Sequence, residues 1–371
     1  MNNIDFISLY HSYVNEFVNK IVVNHRAKLS DLEKDKLFIK FTTSPFIAPE
    51  LQIKLENKIK KAKVYDYIFT LKINNKLVDF HFISDKKLRT INNLAKHYFF
   101  VVFLQLNSGK KLEYLDNIFI NIITVDVPKK LSVPITIGDI NSASTEVHND
   151  FFGGSIFIWR NDELEKVLVH EALHSFLYDY DIINQKLIPP LKQLEDKIDK
   201  NGKGLNINEA YTELCASFIM CLFKLSKKVS KTNAKEILNK ELKTLLNYSL
   251  TTCAKLFQKY DIEDIQACTN IDQIDGCKYH QQASAFSYLV IKTALLWTIL
   301  KNCRSKVRKY TDKVKCLEDF LGIGFTGRIG ESYQDIIVRV LKNEKFNNAI
   351  TKKMTKKFRG RPEKFYFSIF H

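Results

Sequence analysis

The chain has 371 residues with 57 Lys and Arg against 41 Asp and Glu, a formal charge of +16. A hydrophobic fraction of 45% is enough for a buried core and excludes wholesale disorder. At this length a single core has usually stopped growing, so two domains or lobes are expected.

Residues 1–60 read as amphipathic helices with a break at Thr43-Ser44-Pro45. From 64 to 84, apolar and polar residues alternate on either side of Asn74-Asn75, the pattern of a β-hairpin with an Asn-rich turn. Asp85 opens a helix that runs to about Leu106 and stops at Asn107-Ser108-Gly109. Residues 115–127, rich in Ile and Val, read as a strand. A polar, irregular stretch over 139–154 follows, and then a short strand at 155–159. Asn161 or Asp162 is expected to cap the next helix, with Asp162 and Glu165 in capping-box register and Glu163 suiting the positive helix N-terminus. After Tyr180 the chain reads as helices, one starting near Asn208 and others over 233–260 and 281–303, with a turn at 201–204. The order is a mixed front half and a helical back half, an α+β protein.

The helix after the short strand contains His170-Glu171-Ala172-Leu173-His174. Its flanks Val167, Leu168, Val169, Leu173, Phe176 and Leu177 call for burial, where two His and a Glu are costly without a partner. A metal ion is the simplest partner. Positions 170 and 174 lie one turn apart on one face, and imidazoles so placed hold one Zn²⁺ at about 2.0–2.1 Å per bond. Zinc brings the pKa of a bound water to about 7. Glu171, next to the first His, is placed to take a proton as general base and pass it to the leaving amine of a peptide. The Gly and His places of a metzincin site fall on Leu177 and Tyr180, and Asp179 and Asp181 are out of register for an Asp ligand. The remaining source of a third ligand is a Glu from a later helix, Glu209 or Glu213.

The run Ile207-Asn208-Glu209-Ala210-Tyr211-Thr212-Glu213 resembles the second motif of the gluzincins, the thermolysin-like zinc peptidases. That resemblance implies that Glu209 is the third zinc ligand and that Glu213, one turn on, orients a zinc-bound His. This chain has Glu at 213 where thermolysin-like enzymes have Asp. Over roughly 139–220 the chain is also similar to metallopeptidases of large nucleocytoplasmic DNA viruses. The chain's own pattern gives a helical accessory region over 1–60 and a basic tail over 351–371. The resemblance implies a zincin-like fold, with an upper lobe over 61–180 holding a small mixed sheet, an edge strand and the HExxH helix, and a helical lobe over 181–350 supplying the third ligand. It implies that the strand at Ser155, Ile156, Phe157 and Ile158 is the edge that pairs with the substrate backbone. It also implies an oxyanion-stabilising Tyr or His beyond the second motif, with Tyr279, His280 and Tyr288 as candidates and His280 preferred. His148 is a further candidate to line the cleft.

These residues point to a zinc-dependent metallopeptidase acting on a protein or peptide. A non-catalytic zincin-fold structural or virion protein is one alternative. A basic nucleic-acid-binding protein with an incidental HExxH is another, with the basic, aromatic tail as its weak contact for nucleic acid or another polyanion. Lys, Asn and Ile are plentiful while Gly and Pro number only 12 and 7, a pattern that often accompanies an AT-rich genome and weakens a purely functional reading of the positive charge. The seven Cys are odd in number and form no CxxC pair, so they read as small buried residues in a reducing compartment rather than a disulfide framework. The N-terminus lacks a signal-peptide pattern and no apolar run is long enough to span a membrane. The expected location is cytoplasmic, in the host-cell cytoplasm or the virion if the source is viral.

Overall fold

The alternation around Asn74-Asn75 builds the hairpin that anchors a six-stranded sheet. The structure, a computed structural model, describes residues 5–73, 75–108, 118–146, 154–183, 185–198, 204–226, 229–269, 277–302 and 333–355. In it β1 (His25–Lys28) pairs antiparallel with β2 (Tyr65–Ile73), and β2 pairs antiparallel with β3 (Lys76–Ser84) from Tyr65↔Ser84 to Ile73↔Lys76. Asn75 takes the turn at φ 65°, in the left-handed region that Asn tolerates. β4 (Ile118–Val125) lies parallel to β3, and β6 (Ser155–Arg160) lies parallel to β4. β5 (Ala143–Glu146) is antiparallel to β6 and ends the order β1-β2-β3-β4-β6-β5. Parallel neighbours need a crossover, and α4 (Leu88–Asn107) supplies it between β3 and β4.

Strand alternation sorts the side chains onto two faces. By register Phe69, Phe80, Phe82, Ile120 and Ile156 share one of them. There Phe80 and Phe82 meet Tyr98 and Phe99 of α4 at ring separations from 4.9 to 6.2 Å. On the other face Ile123, Val125, Phe157 and Trp159 form one cluster with Phe41 of α2 (Asp31–Thr43) and with Leu51, Leu55 and Ile59 of α3 (Pro49–Lys61). Phe41 stands edge-on to Phe157 at 5.3 Å. Each such side chain contributes about 1.5–3 kcal/mol by burial. This corrects the expectation for residues 1–60: α2 and α3 are a layer of the sheet's own core and not an accessory region. α2 begins at a complete Ser30–Glu33 capping box and ends at Thr43, where the break was expected. Before it, α1 (Phe6–Ser12) runs through a π turn (Tyr13–Phe17) and a 3-10 turn (Val18–Lys20). β1 has no apolar alternation; besides its ladder with β2, Arg26 sits 3.8 Å over the ring of Tyr65.

α6 (Leu164–Ser175) starts differently from the capping box read at Asp162 and Glu165. Its N-cap is Glu163, in the left-handed region at φ 56° with no side-chain cap. Glu163 is buried beside Lys166, 3.7 Å away. At its far end Phe176 packs on Tyr98 of α4 at 6.0 Å, and the Tyr178 hydroxyl donates to the Val101 carbonyl at 3.3 Å.

The chain divides into two units. The sheet, α2, α3, α4 and α6 belong to the one made of Ile7–Pro128 and Asn141–Tyr178. The other comprises Lys129–Ile140 and Asp179–Phe370, with Met1–Phe6. Its described helices are α5 (Ile137–Ile140), α7 (Tyr180–Ile183), α8 (Pro189–Ile198), α9 (Ile207–Leu222), α10 (Lys231–Lys259), α11 (Gln266–Thr269), α12 (Lys292–Asn302, entered through a π turn at Ser287–Ile291), α13 (Tyr333–Leu341) and α14 (Glu344–Met354). Every residue of α9 from Ala210 to Leu222 is buried, which makes it the central helix of this unit. A disulfide joins Cys268 and Cys277, whose Cα atoms are 4.8 Å apart, while Cys215, Cys221 and Cys253 are free and buried. This bridge corrects the reading of the Cys as small buried residues outside any disulfide; the spacing of nine between the two carries no recognised pattern. Among the described residues no helix is long and apolar enough to cross a membrane. The tail from 356 lies outside the described residues.

Candidate metal centre

Two imidazoles on one turn of α6 converge. His170 Nε2 and His174 Nε2 are 3.1 Å apart, with the rings at 73° to each other. Metal bonds of about 2.0–2.1 Å at a tetrahedral angle put ligand nitrogens about 3.3 Å apart, so this pair fits one zinc ion. His170 is buried and His174 half-buried.

Glu171 lies between them in sequence and is also buried. Its carboxylate Oε2 accepts a hydrogen bond from Thr145 Oγ1 at 2.7 Å, and its backbone carbonyl is 3.1 Å from the same hydroxyl. Sheet register explains the reach. Thr145 stands opposite Ile156, on the face that carries α4 and α6, whereas its neighbour Ser144 points to the other face and meets Ser44 of α2's C-cap at 3.4 Å. Ser175 Oγ donates to the Gly154 carbonyl at 3.2 Å, tying the end of α6 back to the entry of β6.

The same register corrects the substrate-strand assignment. Ser155, Ile156, Phe157 and Ile158 lie on β6, which has β4 on one side and β5 on the other. β6 is therefore an internal strand with both ladders occupied. The edge is β5. Its sequence, Ala143-Ser144-Thr145-Glu146, is short and carries no apolar alternation, which is why it reads as irregular.

In the helical unit, α9 carries the second motif. Gly204 at φ 80° turns the chain into it, and an added Cβ there would come 3.2 Å from Glu195 Oε1. That carboxylate accepts from the Leu205 backbone N–H at 2.6 Å. Asn208 Nδ2 donates to buried Asp179 Oδ2 at 3.0 Å, and the Tyr333 hydroxyl donates to the Ile207 carbonyl at 2.8 Å. Glu209 sits half-buried in the first turn, where the helix dipole favours a carboxylate. Glu213 is fully buried one turn later and faces Lys292 Nζ at 3.4 Å. Sequence reading missed this partner. The signal was present as a lone charge in the apolar run 288–300.

The oxyanion candidates separate. Tyr279 is buried in the core, its hydroxyl donating to Gln281 Oε1 at 2.9 Å and its ring 4.7 Å from Tyr260, and burial pushes its phenol well up. It is a packing residue and not a candidate. His280 Nδ1 is 3.1 Å from the Lys278 carbonyl, and the His280 carbonyl accepts from the Tyr260 hydroxyl at 2.7 Å. Tyr288 lies half-buried on the π turn before α12. His148 lies outside the described residues.

No protein-family model matches the chain. No curated protein and no solved structure matches it either. The functional reading rests on the motif residues and their geometry.

Proposed function

We propose that the protein is a zinc-dependent peptidase of the gluzincin type, in which His170, His174 and Glu209 hold the metal and Glu171 is the general base. The observation that carries the reading is the convergence of His170 Nε2 and His174 Nε2 to 3.1 Å, with the Glu171 carboxylate fixed next to them by Thr145. Two imidazoles and a carboxylate are the donor set of a catalytic zinc site that keeps one position open, and a structural zinc does not need Glu171. Zinc supplies Lewis acidity, which makes water nucleophilic near neutral pH and polarises a peptide carbonyl.

The chain's own residues do the rest. Glu171 accepts the proton of the attacking water and returns it to the leaving amine. Glu213, held by Lys292, fixes its turn of α9, one turn from Glu209. β5 offers its outer ladder to an extended peptide, the arrangement expected of a protein or peptide substrate. His280 is retained as the side chain proposed to stabilise the oxyanion. Glu171→Gln preserves the shape and zinc content and removes the base. It is expected to lower cleavage of a casein or quenched-peptide probe by at least about 100-fold, and unchanged cleavage overturns the role of Glu171.

A further inference from the structure

β5 has two properties that belong to different parts of the molecule's chemistry, and both meet at one residue. The first is the side chain: Thr145 Oγ1 lies 2.7 Å from Glu171 Oε2 and 3.1 Å from the Glu171 carbonyl. A hydroxyl donating to a carboxylate makes a short, charge-assisted bond. Held between the main chain and the carboxylate of the same residue, it clamps the χ angles of Glu171 against the helix.

The second is the backbone. The Trp159 N–H donates to the Ser142 carbonyl at 2.9 Å, so Ser142 and Trp159 form a hydrogen-bonded pair of the antiparallel ladder. Such pairs alternate with pairs that are not hydrogen-bonded. Counting along the register, Ala143↔Ile158 is non-bonded, Ser144↔Phe157 is bonded and Thr145↔Ile156 is non-bonded. The N–H and C=O of Ser144 thus point at β6, and those of Thr145 point away from it. β5 is the terminal strand among the described residues, so the Thr145 peptide groups face the open edge.

We propose that Thr145 is the positioning residue that links substrate to base: its N–H and C=O pair with the backbone of an extended peptide, while its hydroxyl holds the Glu171 carboxylate in line with that peptide. This rests on the peptidase reading above and adds the residue through which a bound peptide and the general base share one rigid strand. A peptide that docks on Thr145 is registered to within one side chain of the carboxylate that must receive the proton, without a separate element to align the two. Preorganisation of this kind raises turnover more than binding, because the ground-state ladder survives loss of the hydroxyl.

The test uses the full-length, zinc-loaded protein. Thr145→Val keeps the shape and deletes the hydroxyl, and Thr145→Ser keeps the hydroxyl. With a quenched-fluorescent peptide that the wild type cleaves, Thr145→Val is expected to lower kcat about 10- to 100-fold with KM within about three-fold and zinc content unchanged. Thr145→Ser is expected to recover kcat to within about three-fold of wild type. A Val variant with full kcat, or a Ser variant as slow as Val, overturns the positioning role. Amide hydrogen exchange in Glu171→Gln checks the register without turnover. The Ser144 amide is expected to exchange slowly with or without peptide, and the Thr145 amide to exchange fast alone and slowly with the peptide bound. A slow Thr145 amide in the free protein overturns the edge assignment. A wild type that takes up no zinc defeats the peptidase reading alone, and the free-protein exchange pattern still decides which way Thr145 faces.

Discussion

Replacing Lys292 with Met tests how α9 is held. Lys292 and Glu213 have side chains only 1% and 3% exposed, with Nζ and Oε1 3.4 Å apart. At that distance and an effective dielectric of ~20, the attraction is about 5 kcal/mol. It offsets a desolvation cost of several kcal/mol for each ion, so the pair as a whole contributes little net stability. Removing one partner is different. Lys292→Met leaves the Glu213 carboxylate buried without its cation, and the expected loss is about 3–5 kcal/mol. At roughly 2–4 °C per kcal/mol for a unit of this size, Tm should fall by about 6–20 °C. Glu213→Gln with Lys292→Met removes both charges and should restore a good part of that loss, giving a coupling energy of about 1–3 kcal/mol in a double-mutant cycle. Urea titration followed by circular dichroism, run on wild type, both single variants and the double, reads all of this. A Lys292→Met variant within about 0.5 kcal/mol of wild type, or a double variant that is simply the sum of the singles, refutes the reasoning.

Two further predictions concern titrating groups. Burial pushes the thiols of Cys221 and Cys253 up to about 12 and raises that of Cys215 as well; iodoacetamide at pH 8 should leave these three unmodified in the native protein and label them in urea, read by peptide mass spectrometry, and labelling of any of them in the folded state contradicts their burial. Burial also lowers the pKa of His97, against a weaker opposing pull from Glu165. The folded state therefore binds that proton less readily than the unfolded one, so the group's contribution is fully present above the unfolded value of about 6.5 and is lost as pH falls below it. His97→Gln should flatten the decline in Tm between pH 6.5 and 5, and an identical decline in wild type and variant would contradict the assignment.

What could be read from the sequence was whatever has a period. Strand alternation located β2 and β3, Ile and Val richness located β4, a short apolar run located β6, and the long apolar helices α4 and α9 were placed to within a few residues. The HExxH spacing is itself a helical statement, so the convergence of His170 and His174 followed once α6 formed. What has no period was missed. β1 and β5 are four residues each and carry no apolar stripe; they exist because a neighbouring strand offers a ladder. Missing β5 made β6 look like an edge. Lys292 and Glu213 are 79 residues apart, and nothing local pairs them. The N-cap of α6 also differs from the reading: the helix starts at Leu164 after Glu163 in the left-handed region, so the spacing of Asp162 and Glu165 does not form a capping box. Residues 1–60 were legible as helices but not as part of the core, since an amphipathic stripe says that a face is buried without saying against what.

The central claim is a metal held by His170, His174 and Glu209. Zinc per chain by elemental analysis, after reloading and desalting, tests it in wild type and in Glu209→Ala, both shown folded by circular dichroism. The account predicts close to one zinc in the wild type and a clear loss in the variant. A folded wild type that holds no zinc, or a Glu209→Ala variant that binds it as tightly as wild type, would contradict it.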